Sequence, residues 1–252
     1  MPFTLSHPVA VLPFIRRWSR HFSVTGLVVG SMSSDFEYFF KLEAYPTLSE
    51  HWLGAIFFSL PLAIIASITY QLFVKDSLIK HLPQPFDSKY SGYLQHSFLN
   101  SFTRNPLKLV GSCILGLGTH LFLDWLSHPK TVFARQNLSG VSPEARAVLD
   151  YADHGFSLIA LALVIRVLLR INYPNLNFTV LKKGKKQRYW LSVAIIMGGL
   201  ILFHLLTPQS FPAIEEMVTL GISSLGLGLL ATSIIFKSSP ENRKHPVADN
   251  DH

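Results

Sequence analysis

The sequence predicts an all-α protein, a polytopic membrane helix bundle with about five spanning helices and a short surface helix before them. Charged residues make up only 15% of the 252 residues, whereas about 25% is typical of soluble domains. The apolar share of 49% is ordinary, so the chain is poor in charge rather than unusually rich in apolar residues. Five windows are almost free of charge, which is the pattern that membrane-spanning helices require.

Each charge-poor window is interpreted as one span, because a spanning helix needs about 20 mostly apolar residues. The second and third windows are short, and Lys108 and Arg166 have to reach from them towards the lipid headgroups. The alternative, core helices of a large soluble bundle, is disfavoured because five such windows fall within 252 residues. The predicted spans lie near residues 53–74, 106–126, 155–172, 190–206 and 217–236 of a single membrane-embedded domain, residues 1–236.

Both ends of the chain are predicted to lie outside the bilayer core. Ser6-His7-Pro8 is typical of a helix start, and residues 9–18 are predicted to form a short helix at the membrane surface. No cleavable signal is expected, because arginines at 16, 17 and 20 interrupt the first apolar run. Residues 237–252 are polar and are predicted to be a disordered cytoplasmic tail.

Composition excludes several classes of protein. The single cysteine, Cys113, excludes an intramolecular disulfide and any CxxC zinc or redox motif. The apolar content excludes disorder of the whole chain. No zinc-finger, helix-turn-helix or RNP pattern accompanies the basic residues, so no nucleic-acid partner is predicted.

The basic residues indicate which loops face the cytoplasm. Seven of them and no acidic residue lie between Arg166 and Arg188, and the positive-inside rule assigns such a loop to the cytoplasm. When the other loops are assigned alternately to the two sides of the membrane, the cytoplasmic segments carry a net charge of +10 and the outer segments −3. Together these make the formal net charge of +7. The N-terminus is therefore predicted to lie outside and the C-terminus in the cytoplasm.

The strongest functional pattern is His120-x-x-x-Asp124-x-x-x-His128, at the outer end of the second predicted span. Residues four apart share one face of a helix, so an imidazole and a carboxylate with this spacing can bind one metal ion together. Ionisable groups at the edge of the hydrocarbon core are costly and are a functional hypothesis by default. The alternatives are a polar cluster that packs helices together, or interfacial residues that face the headgroups, above all His128.

Other polar residues fall on the same predicted side. Asp35 follows a loop of glycine and serines, from which a carboxylate can project as a ligand, but alone it is better explained as the N-cap of a helix over residues 36–42. His7 and His51, each taken alone, are typical of interfacial residues. His154, just before the third predicted span, is a less favoured candidate.

Four segments also carry a resemblance to a known family: MPFTLSHPVAVLP, GSMSSDFEYF, HWLGAIFFSLPLAI and GLGTHLFLDWLSH. In that order they resemble the bacterial membrane family called domain of unknown function 4184, over most of residues 1–130. That family looks distantly related to YdjM-type inner-membrane metal-dependent hydrolases and, further off, to zinc-dependent phospholipase C. The resemblance implies a multi-pass protein of the bacterial inner membrane.

The resemblance also implies a metal site. Histidines together with carboxylates suit zinc or a two-metal site, and Asp35 and Asp124 are expected to take part in catalysis. Ser34 stands where the family has proline, which loosens the turn before Asp35, and Trp52 replaces a small residue, which narrows the site. The implied metal ligands are His7, Asp35, His51, His120 and Asp124, with His128 and His154 as second-tier candidates.

Two functions are consistent with these residues. The first is a membrane-bound metal-dependent hydrolase that acts on a phosphoester or phospholipid at the outer leaflet, with the lipid bilayer as its partner. The second is a non-enzymatic membrane protein, in which the cluster is a structural metal site or a polar network between helices. Transport is a weaker third interpretation, because the charged residues gather at one face rather than along a path through the bilayer.

Overall fold

The part of the chain that the structure describes is mainly helical. The computed structural model covers, in describable form, residues 4–18, 20–41, 52–127, 143–206 and 214–238. Every regular element among these residues is a helix, which confirms the predicted all-α class. Four helices are long and apolar enough to cross a membrane: Ala55–His81, Pro106–Asp124, Lys183–Leu206 and Met217–Lys237. They leave large apolar side chains such as Phe57 and Phe203 exposed, and lipid is the solvent that suits such a surface.

The helices are numbered along the chain. Three short ones come first: α1 (Leu12–Trp18), α2 (Val24–Gly30) and α3 (Phe36–Lys41). α4 (Ala55–His81) is π-helical over Ala55–Ser59 and Tyr70–Val74 and α-helical elsewhere. The others are α5 (Phe86–Tyr90), α6 (Phe98–Arg104), α7 (Pro106–Ser127), α8 (Pro143–Arg170), α9 (Lys183–Leu206) and α10 (Ile214–Ser238). Short 3₁₀ segments lie at Thr4–Val11, Ser33–Asp35 and Ser91–Gln95.

Four of the five predicted spans correspond to candidate spanning helices. The predicted third span, 155–172, is helical up to Arg170, where α8 ends, but α8 is not among the four candidates found in the described residues. A fifth span therefore stays a prediction. α4 continues seven residues beyond the predicted span, to His81. Lys75, the charge that closes the apolar window, is buried there, and its ammonium donates to the carbonyl oxygen of His96 at 3.1 Å.

The chain divides into two compact units. The first consists of Met1–Ile68 with Phe98–Ile171, and the second of Thr69–Ser97 with Asn172–His252. The boundary falls within α4, so each unit includes a part of this helix. The single domain expected over residues 1–236 stays a prediction.

The N-terminal segment of the first unit is partly buried rather than wholly at the surface. The predicted surface helix covered residues 9–18, but the 3₁₀ segment Thr4–Val11 precedes it and packs against α7 and α8. Val9 and Ala10 contact the buried Leu123 and Ala160 there. α1, in contrast to the 3₁₀ segment before it, has no buried residue. Small apolar side chains let the first turns enter between larger helices, whereas the arginines of α1 stay outside.

α2 and α7 pack with their backbones close together in the first unit. Gly26 and Gly30 lie four residues apart on α2, a spacing that lets two helices approach closely. A Cβ atom added to Gly30 would lie 2.5 Å from the carbonyl oxygen of Cys113, and one added to Gly116 would lie 2.8 Å from the Ser31 nitrogen. A hydrogen bond joins the two helices where α2 begins, since the Ser23 N–H donates to Ser112 Oγ at 2.7 Å. His120, one turn beyond Gly116, is thereby brought to the end of α2.

The second unit is built on the packing of α9 against α10 and the end of α4. The fully buried Tyr189 forms a hydrogen bond with Ser233 at 2.8 Å, and its ring stacks on that of His81 at 4.4 Å. The Trp190 indole N–H donates to the carbonyl oxygen of His81 at 2.9 Å. These contacts fix the start of the apolar part of α9.

The glycine contact between α2 and α7 can be tested by substitution. Gly116→Ala is expected to lower the free energy of unfolding by about 1–3 kcal/mol, because its methyl group would overlap the backbone of α2. The thermal midpoint of detergent-purified protein measures this effect. Gly118→Ala is the matched control, since an added Cβ there meets nothing within 4 Å. Equal midpoints for the two variants would contradict the close contact.

Candidate metal centre

Four polar side chains from three separate parts of the sequence meet in the first unit. His7 comes from the 3₁₀ segment Thr4–Val11, Asp35 from the end of Ser33–Asp35, and His120 and Asp124 from the end of α7. The two histidines are at most 1% exposed, whereas the side chain of Asp124 is 36% exposed. The cluster is therefore buried on one side and open to solvent at Asp124.

Imidazoles and carboxylates alternate around this cluster. His7 Nε2 lies 3.7 Å from Asp35 Oδ2 and 3.9 Å from Asp124 Oδ1. His120 Nε2 lies 3.6 Å from Asp35 Oδ1 and 2.9 Å from Asp124 Oδ2. The two rings stack with centroids 3.9 Å apart. Only the 2.9 Å contact has hydrogen-bond length, so the other pairs are neighbours at ion-pair distance.

The donor atoms fit a metal ion. His7, His120 and Asp124 each offer one ligand atom, and these atoms lie within 4.8 Å of one another, so the group could hold a metal. Two donors bound tetrahedrally to zinc at about 2.0–2.1 Å are about 3.3 Å apart. The observed 2.9 and 3.9 Å separations lie on either side of that value. Asp35 is outside this mutual group, yet its carboxylate faces both histidines, so it is placed to be a fourth ligand or a neighbour of the ligands.

A backbone carbonyl sets the orientation of His120. Its Nδ1 lies 2.8 Å from the carbonyl oxygen of Ser31. Because a carbonyl can only accept, Nδ1 carries the proton and Nε2 is directed towards the carboxylates. Histidine ligands of metals commonly make such a bond, which fixes the ring and raises its basicity. The bond depends on the close packing of α2 and α7, which places Ser31 beside His120.

Asp35 is held in a turn that the preceding backbone stabilises. Ser33 Oγ donates to the carbonyl oxygen of Gly30 at 2.9 Å, and the Asp35 N–H donates to that of Met32 at 3.2 Å. The Thr4 hydroxyl donates to the carboxylate. Burial raises the pKa of the Asp35 carboxyl above its ordinary value. A cation in contact with this group would offset the cost of burying its charge.

The structure brings together four of the predicted site residues: His7, Asp35, His120 and Asp124. His51 and His128 lie outside the described residues. His154 is on α8 with an exposed side chain and is not part of the group that could hold a metal. The helix predicted after Asp35 is present as α3, over Phe36–Lys41. That any of these residues binds metal stays a prediction.

The residues that position the cluster were not predicted from the sequence. These are the carbonyl of Ser31 and the small residues of α2 and α7 that allow it to approach His120. A signal for them exists, since Gly26-x-x-x-Gly30 and Ser112-x-x-x-Gly116 both place small residues four apart. The pairing of these two segments could not be read from either one alone.

The chain belongs to the family described as Domain of unknown function (DUF4184), which it matches over residues 1–236. This confirms the family that the sequence motifs indicated, and the match also extends over the later spans, where the motifs fade. No curated protein and no solved structure matches the chain. The distant relation to YdjM-type hydrolases stays a prediction.

The metal content of the purified protein tests the ligand set. His7→Ala, His120→Ala and Asp124→Ala are each expected to reduce bound metal from stoichiometric to trace amounts, because each change removes one of three donors. Elemental analysis by mass spectrometry after detergent purification measures this.

His21→Ala is the matched control, since His21 is exposed and outside the cluster; it should keep the metal of the unmodified protein. A metal-free unmodified protein, after dialysis against zinc, would contradict the metal centre. Full metal content in all three alanine variants would contradict the ligand assignment alone.

Proposed function

We propose that the protein is a membrane-embedded, metal-dependent hydrolase that uses zinc to cleave a phosphoester, most naturally that of a lipid. The observation that carries the proposal is the meeting of the buried His7 and His120 with Asp124, beside the carboxylate of Asp35. Three protein donors with one open position are typical of catalytic zinc sites, whereas structural sites are closed by four ligands.

The donor chemistry also favours a catalytic site over a structural one. Structural zinc sites are commonly rich in cysteine, and the only cysteine, Cys113, is buried and contacts Ser67. Zinc bound at the cluster would polarise a phosphoryl oxygen and lower the pKa of a water to about 7. The partial exposure of Asp124 leaves a side from which water and substrate can enter.

Each residue of the cluster has a distinct role in this proposal. His7, His120 and Asp124 would bind the zinc ion, and the Ser31 carbonyl keeps His120 Nε2 directed at the site. Asp35 accepts the proton of the attacking water, since its oxygens lie 3.6 and 3.7 Å from the two histidine Nε2 atoms and hence beside the open position. The Thr4 hydroxyl fixes the Asp35 carboxylate for this step.

The location of the cluster supports a lipid substrate. His120 and Asp124 fall in the last turns of the candidate span Pro106–Asp124, so the site lies where an apolar helix reaches the bilayer boundary. Phosphoester groups of lipids are concentrated at that depth. The asymmetry of basic residues supports an outer-leaflet position in the bacterial inner membrane, with the N-terminus outside and the C-terminus inside.

A second candidate function is a structural polar lock without catalysis. The observation in its favour is the 2.9 Å contact between His120 Nε2 and Asp124 Oδ2, together with the stacked imidazoles. A polar network of this kind can hold the N-terminal segment against α7 without a metal. Metal content and hydrolysis distinguish the two functions.

Asp35→Asn separates metal binding from catalysis. The variant is expected to keep its zinc and to lose hydrolysis about 10²–10⁴-fold, because an amide cannot accept the proton. Release of phosphate ester products from phospholipid and from a simple aryl phosphodiester measures activity. Chelation should abolish the activity of the unmodified protein, and added zinc should restore it.

Asp124→Asn is the matched control, because the same chemical change at a ligand should lose both zinc and activity. Loss of zinc in Asp35→Asn would make Asp35 a ligand and contradict its role as base. A zinc-loaded unmodified protein that cleaves neither substrate would favour the structural lock.

Cysteine labelling tests the proposed orientation. The native Cys113 is fully buried and contributes little background. A cysteine introduced as Lys130→Cys should react with an impermeant reagent in intact cells, whereas one introduced as Gly184→Cys should react only after permeabilisation. The reverse pattern would contradict the orientation, and with it the outer-leaflet site.

A further inference from the structure

Exposed basic side chains crowd the start of α9 in the second unit. Lys182, Lys183 and Arg188 are exposed there. The sequence contains no acidic residue from His154 to Ala213. The carboxylate of Asp87 does reach this region, but it is completely buried and forms an ion pair with Lys186. Asp87 therefore neutralises one buried cation and leaves the exposed ones to be matched by another source of negative charge.

An exposed apolar loop precedes these cations. Leu176 is 97% exposed at its tip. The loop is nevertheless held in place, because the Gly92 N–H donates to the Tyr173 carbonyl oxygen at 2.8 Å and the Tyr173 N–H donates to that of Lys89 at 2.7 Å. The Asn175 N–H also donates to Ser91 Oγ at 2.7 Å. Tyr173 and Val180 of the same loop are also exposed, and a group of exposed apolar side chains beside basic residues suits a surface that meets lipid.

The helical rise places the cations at the depth of lipid headgroups. The apolar part of α9 begins at Trp190, and aromatic residues of this kind favour the membrane interface. Lys183 lies seven residues before Trp190, which is about 10 Å along the helix. The headgroup layer is about 5–8 Å thick on each side of the hydrocarbon core, and lysine side chains are long enough to reach back into it.

We propose that Lys182, Lys183 and Arg188, together with the loop tip at Leu176, form a binding surface for the headgroups of anionic phospholipids. Arginine and lysine donate charge-assisted hydrogen bonds to phosphate oxygens. The exposed leucine argues for a lipid rather than an inorganic anion, because an apolar side chain beside the cations can contact the acyl region of a lipid. This surface does not involve the metal cluster, and it stands whether or not the proposed hydrolase activity does.

Lipid-dependent stability of the full chain tests this surface. In an uncharged detergent, phosphatidylglycerol is expected to raise the thermal midpoint by several degrees more than phosphatidylcholine of the same acyl chains. The variant Lys182→Gln/Lys183→Gln/Arg188→Gln should lose most of this difference. Its apparent affinity for phosphatidylglycerol should fall on the order of 100-fold, at about fivefold for each cation removed.

The variant Arg16→Gln/Arg17→Gln/Arg20→Gln is the matched control, since it removes three other exposed arginines; it should keep the preference for phosphatidylglycerol. Equal effects of the two lipids on the unmodified protein, or an undiminished preference in the first variant, would overturn the proposal. The same rise with inorganic phosphate alone would also overturn it, because a soluble anion would then be the ligand.

A second measurement does not depend on any variant. Native mass spectrometry of the unmodified protein, purified from an equimolar mixture of the two lipids, should show phosphatidylglycerol retained in excess. Equal retention would overturn the proposal even if the substituted proteins did not fold.

Discussion

The close approach of α2 to α7 is the contact on which the candidate metal centre depends. The hydrogen atoms of Gly30 and Gly116 occupy space in which no larger substituent fits. In a membrane protein such small-residue contacts gain dispersion energy over two backbones at once. The same approach brings the Ser31 carbonyl within 2.8 Å of His120 Nδ1, which aims Nε2 at the carboxylates. The two glycines thus determine which ring nitrogen of His120 faces the carboxylates.

Burying the polar groups of this cluster costs free energy, and this cost is relevant to the function of the cluster. Two carboxylates and two imidazoles share a site in which the histidines are at most 1% exposed. Burying one unpaired charge costs several kcal/mol in a protein, and burial accordingly raises the pKa of Asp35. Helices can be packed together with apolar residues at no such cost. A bound cation would compensate both carboxylates at once, which supports the proposed metal centre.

The helices and half of the site follow from local sequence, whereas the rest depends on tertiary contacts. Charge-free windows located the spanning helices, and the spacing of His120 and Asp124 placed them on one helix face. The predicted span ended before Lys75 because the window rule counts charge alone, whereas α4 continues past this residue, whose ammonium donates to the His96 carbonyl. His7 and Asp35, judged alone, looked like an interfacial residue and a helix cap. Only the family motifs linked them to His120, since no local rule encodes the pairing of α2 with α7.

The formal charge of +7 conceals two local imbalances of opposite sign. In the first unit, the carboxylates of Asp35 and Asp124 face two imidazoles, and the proposed cation would add positive charge there. In the second unit, Asp87 neutralises the charge of Lys186 but is too deeply buried to neutralise the exposed lysines and arginine nearby. The water beside a membrane contains divalent cations, and the lipid headgroups carry phosphates. The surroundings of each unit can therefore supply the charge that the unit itself lacks.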